Sequence, residues 1–218
     1  MASTNIARRR ENARADSGPA YAARREEIIR AAGQAFLARG YEATSFKDIA
    51  ELLQLDRATL YYYFSSKQDL FQTATMSAVE RNALAAERLA ASDASPVEKV
   101  AELFRLVLAS YTDVDYPYMF VFLGEDPARI AKGAEGRSWA RSVRALSDRF
   151  QDAVTTIFEQ GIEAGEFASV VPPPILTQAV IGMMNETRRW FRPGKGHSAE
   201  EIAGFFSNTL IHGIRRRQ

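Results

Sequence analysis

The sequence contains no cysteine, which excludes a disulfide framework, a thiolate nucleophile and a cysteine-ligated metal site. It has only two histidines, His197 and His212, and neither has a partner at metal-binding spacing. Long hydrophobic runs are also missing, since no stretch approaches the roughly 18 apolar residues of a membrane-spanning helix. We therefore expect a protein without a metal or cofactor and without a membrane span.

Sequence signatures of catalysis are equally scarce. No glycine-rich phosphate loop follows a predicted strand, and no Gly-x-Ser-x-Gly nucleophile elbow is present. Residues 1–20 carry arginines but lack the apolar stretch of a secretion signal. These absences predict a cytoplasmic protein that is not an enzyme and has no catalytic residues.

Charge of one sign is not in excess either, because the formal net charge is +1. Attraction to a polyanion must therefore come from local clusters of charge. Four arginines stand in residues 1–20, a stretch with few core-forming side chains that predicts a flexible basic arm. Residues 215–217 form a second cluster, for which a solvated tail is the simpler interpretation.

Helical periodicity is what the chain has in abundance. Apolar residues recur on one face over residues 21–39, and no convincing alternating strand pattern appears. Three consecutive prolines, 172–174, make the sharpest break. Later helices are predicted near 96–111, 116–130, 136–164, 174–192 and 198–216. The pattern indicates an all-α fold.

Two short helices in the first third of the chain are joined by a tight turn, followed by a longer helix. The predicted N-caps of these three helices are Thr44 or Ser45 with Asp48, then Asp56, then Ser66 with Asp69. Such a pair is typical of a helix-turn-helix, in which one helix lies in the major groove and the other braces it.

Residues 44–50 and 59–70, together with 28–32 and 36–41, resemble the N-terminus of TetR/AcrR transcriptional regulators. The resemblance departs at Gln54 and Asp56, which stand where the family usually has a turn glycine and a serine. It implies an all-α protein of about nine helices, in which a three-helix DNA-binding domain precedes a larger helical domain for ligand binding and dimerisation. The predicted parts are a flexible basic arm (1–20), the helix-turn-helix domain (21–66) and the effector-binding and dimerisation domain (67–218).

Side-chain chemistry assigns roles within this predicted DNA-binding domain. The side chains best suited to base readout are Lys47, Arg57 and Thr59. Those that resemble the family's phosphate-contacting positions are Ser45, Tyr62, Tyr63 and Lys67, and Tyr61 could serve either role. Leu60 and Phe64, one helical turn apart, are predicted to be core. Because consecutive helix positions point about 100° apart, Tyr61, Tyr62 and Tyr63 cannot all be buried.

The basic arm keeps two interpretations at this stage. Its arginines could enter an adjacent minor groove, or the arm could be inert. Operator affinity that is unchanged at several salt concentrations after removal of residues 1–18 would exclude the first.

Bulky apolar side chains in the second part form a candidate effector pocket, although such a set is also typical of plain core. The candidates are Met76, Leu103, Tyr111, Tyr118, Met119, Phe122, Trp139, Val143 and Phe150. The family resemblance implies a homodimer through helices about 174–192 and 198–216. Residues 185–194 and 198–202 resemble a subgroup that controls the catabolism of acids activated as coenzyme A thioesters. In that subgroup, an acyl-CoA effector would place phosphates near Arg188, Arg189 or Arg192, unless these are only a solvated helix end.

The expected function is that of a ligand-responsive transcriptional regulator, most often a repressor. Its expected partners are palindromic double-stranded operator DNA, a small hydrophobic or acyl-CoA-type effector and a second copy of the chain. The alternatives are an activator of the same fold, a helical DNA-binding protein without a ligand, and a purely structural helical protein. Salt-sensitive, sequence-selective retention on DNA separates the last from the others.

Overall fold

A computed structural model describes residues 18–112, 133–168, 171–192 and 194–214. These ranges form eight helices: α1 (Pro19–Arg39), α2 (Phe46–Leu52), α3 (Arg57–Tyr63), α4 (Lys67–Ala90), α5 (Pro96–Tyr111), α6 (Gly133–Glu163), α7 (Pro173–Trp190) and α8 (Ala199–Ile214). The all-α prediction is confirmed. The helix predicted near 116–130 and most of the basic arm lie outside the described residues. None of the described helices combines the length and the apolar composition that a membrane crossing needs.

The predicted N-caps account for where the short helices begin. At α2, Ser45 Oγ accepts from Asp48 N (3.2 Å) and Asp48 Oδ2 accepts from Ser45 N (2.7 Å), which completes a capping box. At α3, Asp56 Oδ1 accepts from Thr59 N at 2.6 Å. At α4, Ser66 caps as predicted, but the Asp69 carboxylate accepts from Ser65 N (2.7 Å), one residue before the expected position.

Two large hydrophobic cores organise the described chain. The first, which we call the N-terminal head, is formed by α1, α2, α3 and the first half of α4 around Phe36, Leu60 and Phe71. It also includes Trp139 and Val143 of α6. The second, which we call the body, is formed by α5, α7, α8, the end of α4 and the second half of α6. A small cluster of Val79, Ala83 and Leu146 packs α4 against α6 between them. Helices α4 and α6 therefore each contribute to both the N-terminal head and the helical body.

A buried lysine joins three helices at the far end of α4. Lys99 is 4% exposed, and its ammonium donates to Ala90 O (2.9 Å) and to Gln160 Oε1 (2.8 Å). Gln160 Nε2 donates to the same carbonyl at 3.1 Å. Because a cation stabilises a helix C-terminus, this cluster anchors the end of α4 to α5 and α6.

Gln54, which stands where the family usually has a glycine, lies in the turn between α2 and α3. Its φ of 53° makes it the one non-glycine with a positive φ among the described residues. Leu53 and Leu55 on either side pack partly buried against the head core, and Leu55 N donates to Ala50 O at 2.9 Å. Packing of the flanking leucines thus holds an unfavourable backbone conformation in place.

We expect Gln54→Gly to raise the free energy of unfolding by about 0.5–1 kcal/mol, because relief of left-handed strain exceeds glycine's entropic cost. Urea denaturation followed by circular dichroism measures this change. Gln54→Asn is the matched control and should gain less, since asparagine tolerates the left-handed region better than glutamine does. A loss of stability in the glycine variant would show that the turn is not strained.

Candidate DNA-binding surface and effector cavity

Helices α2 and α3 are held as a pair by their buried faces. Ile49 and Leu60 are each 0% exposed, and the Phe46 ring lies 4.9 Å from the Tyr61 ring, centroid to centroid. Leu60 and Phe64 are both fully buried, which confirms their prediction as core. The opposite faces of the two helices are thereby left toward solvent.

The candidates for base readout occupy that outer side. The Lys47 side chain is 66% exposed, and its ammonium lies 3.3 Å from Glu51 Oε1. Arg57 is also exposed, with its guanidinium carbon 5.9 Å from the Tyr61 ring centroid. Thr59 is half-buried. Because an exposed ion pair contributes little stability, Lys47 can exchange Glu51 for a nucleic acid acceptor at small cost.

Two carboxylates also lie near this surface, and both cap helices. Hydrogen bonds from the Ser45 side chain and backbone lower the pKa of Asp48, and the backbone and side chain of Thr59 lower the pKa of Asp56. Both groups are therefore ionised at neutral pH. Each negative charge faces the N-terminal dipole of the helix that it caps, which reduces its repulsion of nearby phosphates.

The three consecutive tyrosines are all half-buried, in keeping with the geometric argument from the sequence. Tyr63 stacks on Tyr21 of α1, with ring centroids 4.9 Å apart and an interplanar angle of 28°. Tyr62 meets Tyr21 edge-on at 5.8 Å and Tyr63 at 5.0 Å. Burial raises the pKa of Tyr63. Tyr21 was not among the predicted site residues, although its place at the start of a predicted helix was readable.

Lys67 has a structural role that the sequence did not indicate. Its ammonium donates to Tyr41 O (2.7 Å) and Glu42 O (3.4 Å) and lies 4.2 Å from the Tyr41 ring centroid. These contacts tie the loop after α1 to the first residue of α4. The predicted phosphate contact by Lys67 remains a prediction.

A cavity of about 170 Å³ lies among α4, α5, α6 and α7 in the body. Of the predicted pocket residues, Tyr111 and Phe150 line it. The lining residues that sequence reasoning missed are Val79, Asn82, Val107, Ser147, Gln151, Ile181, Met184 and Asn185. Several of these residues are polar side chains on helices with an apolar face, and this was visible in the sequence. Which of them line the same cavity depends on how four separate helices pack together.

The remaining predicted pocket residues lie elsewhere. Leu103, 1% exposed, packs in the body core, and Trp139 and Val143 pack in the head core. Met76 is partly buried against the head core and the small cluster between α4 and α6. Tyr118, Met119 and Phe122 lie outside the described residues. Apolar periodicity predicts that a side chain is buried without saying what it packs against.

Arg188 supplies positive charge near the cavity. Burial strongly raises the pKa of Tyr111, and the charge of Arg188 acts in the opposite direction. The neighbouring arginines are turned to other contacts: Arg189 Nε lies 2.8 Å from Glu186 Oε1, and Arg192 donates to the carbonyls of Arg188 and Phe191. Arg188 is therefore the best placed of the three for an anionic ligand group.

Helices α7 and α8 leave large apolar side chains exposed. Ile175, Trp190 and Phe205 are 55%, 53% and 58% exposed. Gly182 and Gly213 lie on the same helices with open space where a side chain would project. Other apolar residues of these helices, such as Val180 and Ile202, are buried in the chain's own core. The two helices thus have one face packed in the body and one face open.

Comparison with known proteins agrees with this architecture. Residues 28–74 match the family model for bacterial regulatory proteins of the tetR family, and residues 93–214, more than half of the chain, match a tetracyclin repressor-like C-terminal domain. The transcriptional repressor KstR2 of Mycolicibacterium smegmatis is 22% identical over 90% of this chain and 93% of its own.

Solved structures give the same result. The TetR-family regulator PfmR of Thermus thermophilus superposes with a TM-score of 0.76 at 28% identity, covering 87% of this chain and 99% of its own. AibR, solved with isovaleryl coenzyme A and operator DNA, superposes with a TM-score of 0.71 at 23% identity, covering 86% and 98%. The chain therefore belongs to the TetR family of bacterial regulatory proteins and is a DNA-binding transcriptional regulator.

Proposed function

We propose that a homodimer of this chain represses transcription from a palindromic operator and is released by a small effector of the acyl-CoA type. The observation that carries the proposal is the capped pair α2 and α3, in which Lys47 and Arg57 are exposed while Leu60 and Phe64 are buried in the head core. This geometry suits insertion of α3 into the major groove. The repressor KstR2 among the relatives supports repression rather than activation.

The dimer is proposed to form through the open faces of α7 and α8. Exposed Ile175, Trp190 and Phe205 give these faces an apolar content that solvent would disfavour. Two copies are needed because the recognition helices must reach successive major grooves, roughly 34 Å apart. A symmetric pair of heads reads a symmetric site, so the operator is expected to be a palindrome.

The effector is proposed to bind in the 170 Å³ cavity with its acyl part inside and its phosphates toward Arg188. AibR, which was solved with isovaleryl coenzyme A, supports this effector class. The dimer has one conformation in which the heads are spaced for the operator and another in which they are not. An effector that binds the second conformation more tightly lowers operator affinity by the ratio of its affinities for the two conformations. The proposal assigns the chain no catalytic role and places it in the cytoplasm with the DNA.

Selection of bound sites from random duplex DNA at physiological salt tests the operator claim. We expect the recovered sequences to show dyad symmetry, and Arg57→Ala to reduce the preference at one base position in each half-site. Lys47→Ala is the companion variant and should affect a different position. Recovery of no enriched sequence, even at low salt, would contradict the proposal.

Titration of a panel of acyl-CoA thioesters into the labelled operator complex tests the effector claim. We expect short-chain thioesters to lower operator affinity, and Arg188→Gln to weaken this response more than Arg189→Gln does, because Arg189 is paired with Glu186. Operator affinity that no thioester changes would exclude this effector class.

A further inference from the structure

The polar atoms that line the cavity are not equally engaged. The Ser147 hydroxyl donates to Val143 O at 2.9 Å, and Gln151 Oε1 accepts from Gln178 Nε2 at 2.6 Å. Asn82, on α4, makes a single hydrogen bond among the described residues, from its amide nitrogen to Ser110 Oγ at 3.4 Å. That distance is longer than the roughly 2.7–3.2 Å of ordinary N–H···O hydrogen bonds, so the bond is weak. The Asn82 amide therefore has unused hydrogen-bonding capacity at the cavity wall, whereas Asn185, the other amide that lines the cavity, is exposed to solvent.

The rest of the lining restricts what can use that capacity. Val79, Val107, Phe150, Ile181 and Met184 make most of the wall apolar, and no described lining residue is charged. An ionised group among these side chains would lose its hydration without a charged partner in the wall, because Arg188 acts on Tyr111 from nearby but does not line the cavity. A hydrocarbon group would leave the Asn82 amide without a strong partner. The lining fits a neutral group that carries an oxygen atom.

We propose that Asn82 is the specificity-determining residue of the cavity and that it selects effectors whose buried part carries a neutral hydroxyl or carbonyl oxygen. The proposal rests on the proposed function only in taking this cavity as the effector site. The size agrees, because an apolar cavity of about 150 Å³ holds a benzene-sized molecule. A short hydroxylated or oxidised acyl group is of that size.

The position of Asn82 also connects recognition to the head. Helix α4 begins at Lys67, which holds the loop after α1, and Asn82 lies on the same helix. When a ligand oxygen accepts the N–H that Asn82 now donates to Ser110 Oγ, the bond to α5 is given up. Ser110 retains its own bond to Val107 O at 2.6 Å, so the exchange leaves no orphaned hydroxyl. Effector binding thereby loosens one link between α4 and α5.

Phenol and toluene, which differ by a hydroxyl in place of a methyl, test the selection without coenzyme A. We expect the full-length wild-type protein to bind phenol at least as tightly as toluene, although toluene is the more hydrophobic. Asn82→Leu should weaken phenol about tenfold and leave toluene unchanged. Ligand-observed NMR titration measures both affinities, with circular dichroism as the check of folding.

Ser110→Ala is the matched control, since it removes the partner of Asn82 but leaves the amide at the wall; the preference for phenol should persist. A wild-type preference for toluene, or a phenol affinity that Asn82→Leu does not change, would overturn the proposal. A wild-type preference for toluene would overturn the proposal even if the leucine variant does not fold.

A second pair, butyryl-CoA and 3-hydroxybutyryl-CoA, separates this inference from the effector class. We expect the hydroxylated thioester to release the operator at about tenfold lower concentration. If neither thioester releases the operator but the preference for phenol over toluene is lost in Asn82→Leu, the acyl-CoA effector class is wrong and the role of Asn82 stands. If both thioesters release the operator at the same concentration and Asn82→Leu does not change the affinity for phenol, the role of Asn82 is wrong and the acyl-CoA effector class stands.

Discussion

Replacing Phe205 by glutamate is expected to convert the protein to a monomer and to lower operator affinity roughly a hundredfold or more. Phe205 is 58% exposed on the open face of α8, and in a symmetric interface the substitution buries a carboxylate in apolar surroundings twice, once in each copy. A monomer must bind each half-site separately and loses the gain in effective concentration that links the two heads. Sedimentation equilibrium gives the oligomeric state, and fluorescence anisotropy gives the operator affinity.

Phe205→Leu serves as the control for this prediction, because it shortens the side chain but keeps it apolar. It should remain dimeric at micromolar concentration and retain most of the operator affinity. A Phe205→Glu variant that is still dimeric and still binds tightly would show that the dimer forms through another surface.

Truncating Trp139 to alanine is expected to lower the free energy of unfolding by about 3–5 kcal/mol and to separate the unfolding of the head from that of the body. Trp139 is 6% exposed and belongs to the head core, where its ring centroid lies 6.5 Å from that of Phe71. Because it is carried by α6, its loss removes a contact between the two parts as well as buried area. Urea denaturation should change from one transition to two.

Trp139→Phe is the matched variant, since it retains an aromatic ring at the junction. It should cost clearly less stability and preserve a single transition. If Trp139→Ala unfolds in one transition with a small loss of stability, then α6 does not couple the head to the body through this residue.

The sequence predicted where the short helices of the N-terminal head begin and where the turn between them lies. Thr44 or Ser45 with Asp48, and then Asp56, predicted the starts of two helices, and the structure has Ser45 and Asp56 as the caps. Local interactions within three or four residues decide a cap, so local sequence is sufficient to predict it. The family resemblance, which has a glycine in this turn, also indicated that Gln54 would be in an unusual conformation, and its φ is 53°. The phosphate and base contacts assigned to these helices, by contrast, stay predictions.

The contacts within the head were less accessible. Tyr21 stacks on Tyr63 and Lys67 binds the carbonyl of Tyr41 across many intervening residues. Such pairs depend on the angle at which α1 packs over α3 and α4. No periodicity within a single helix reports that angle.

The sequence by itself determined the helical class, the capped head and its family, because helix periodicity and capping are local properties of the chain. Only the tertiary structure decided that Trp139 belongs to the head core and Leu103 to the body core rather than to the cavity. It also decided that Asn82 and Asn185 line one cavity. The physical reason is that a cavity is formed where several helices fail to fill the space between them. That space depends on side chains distant in sequence, which meet only once the helices have packed.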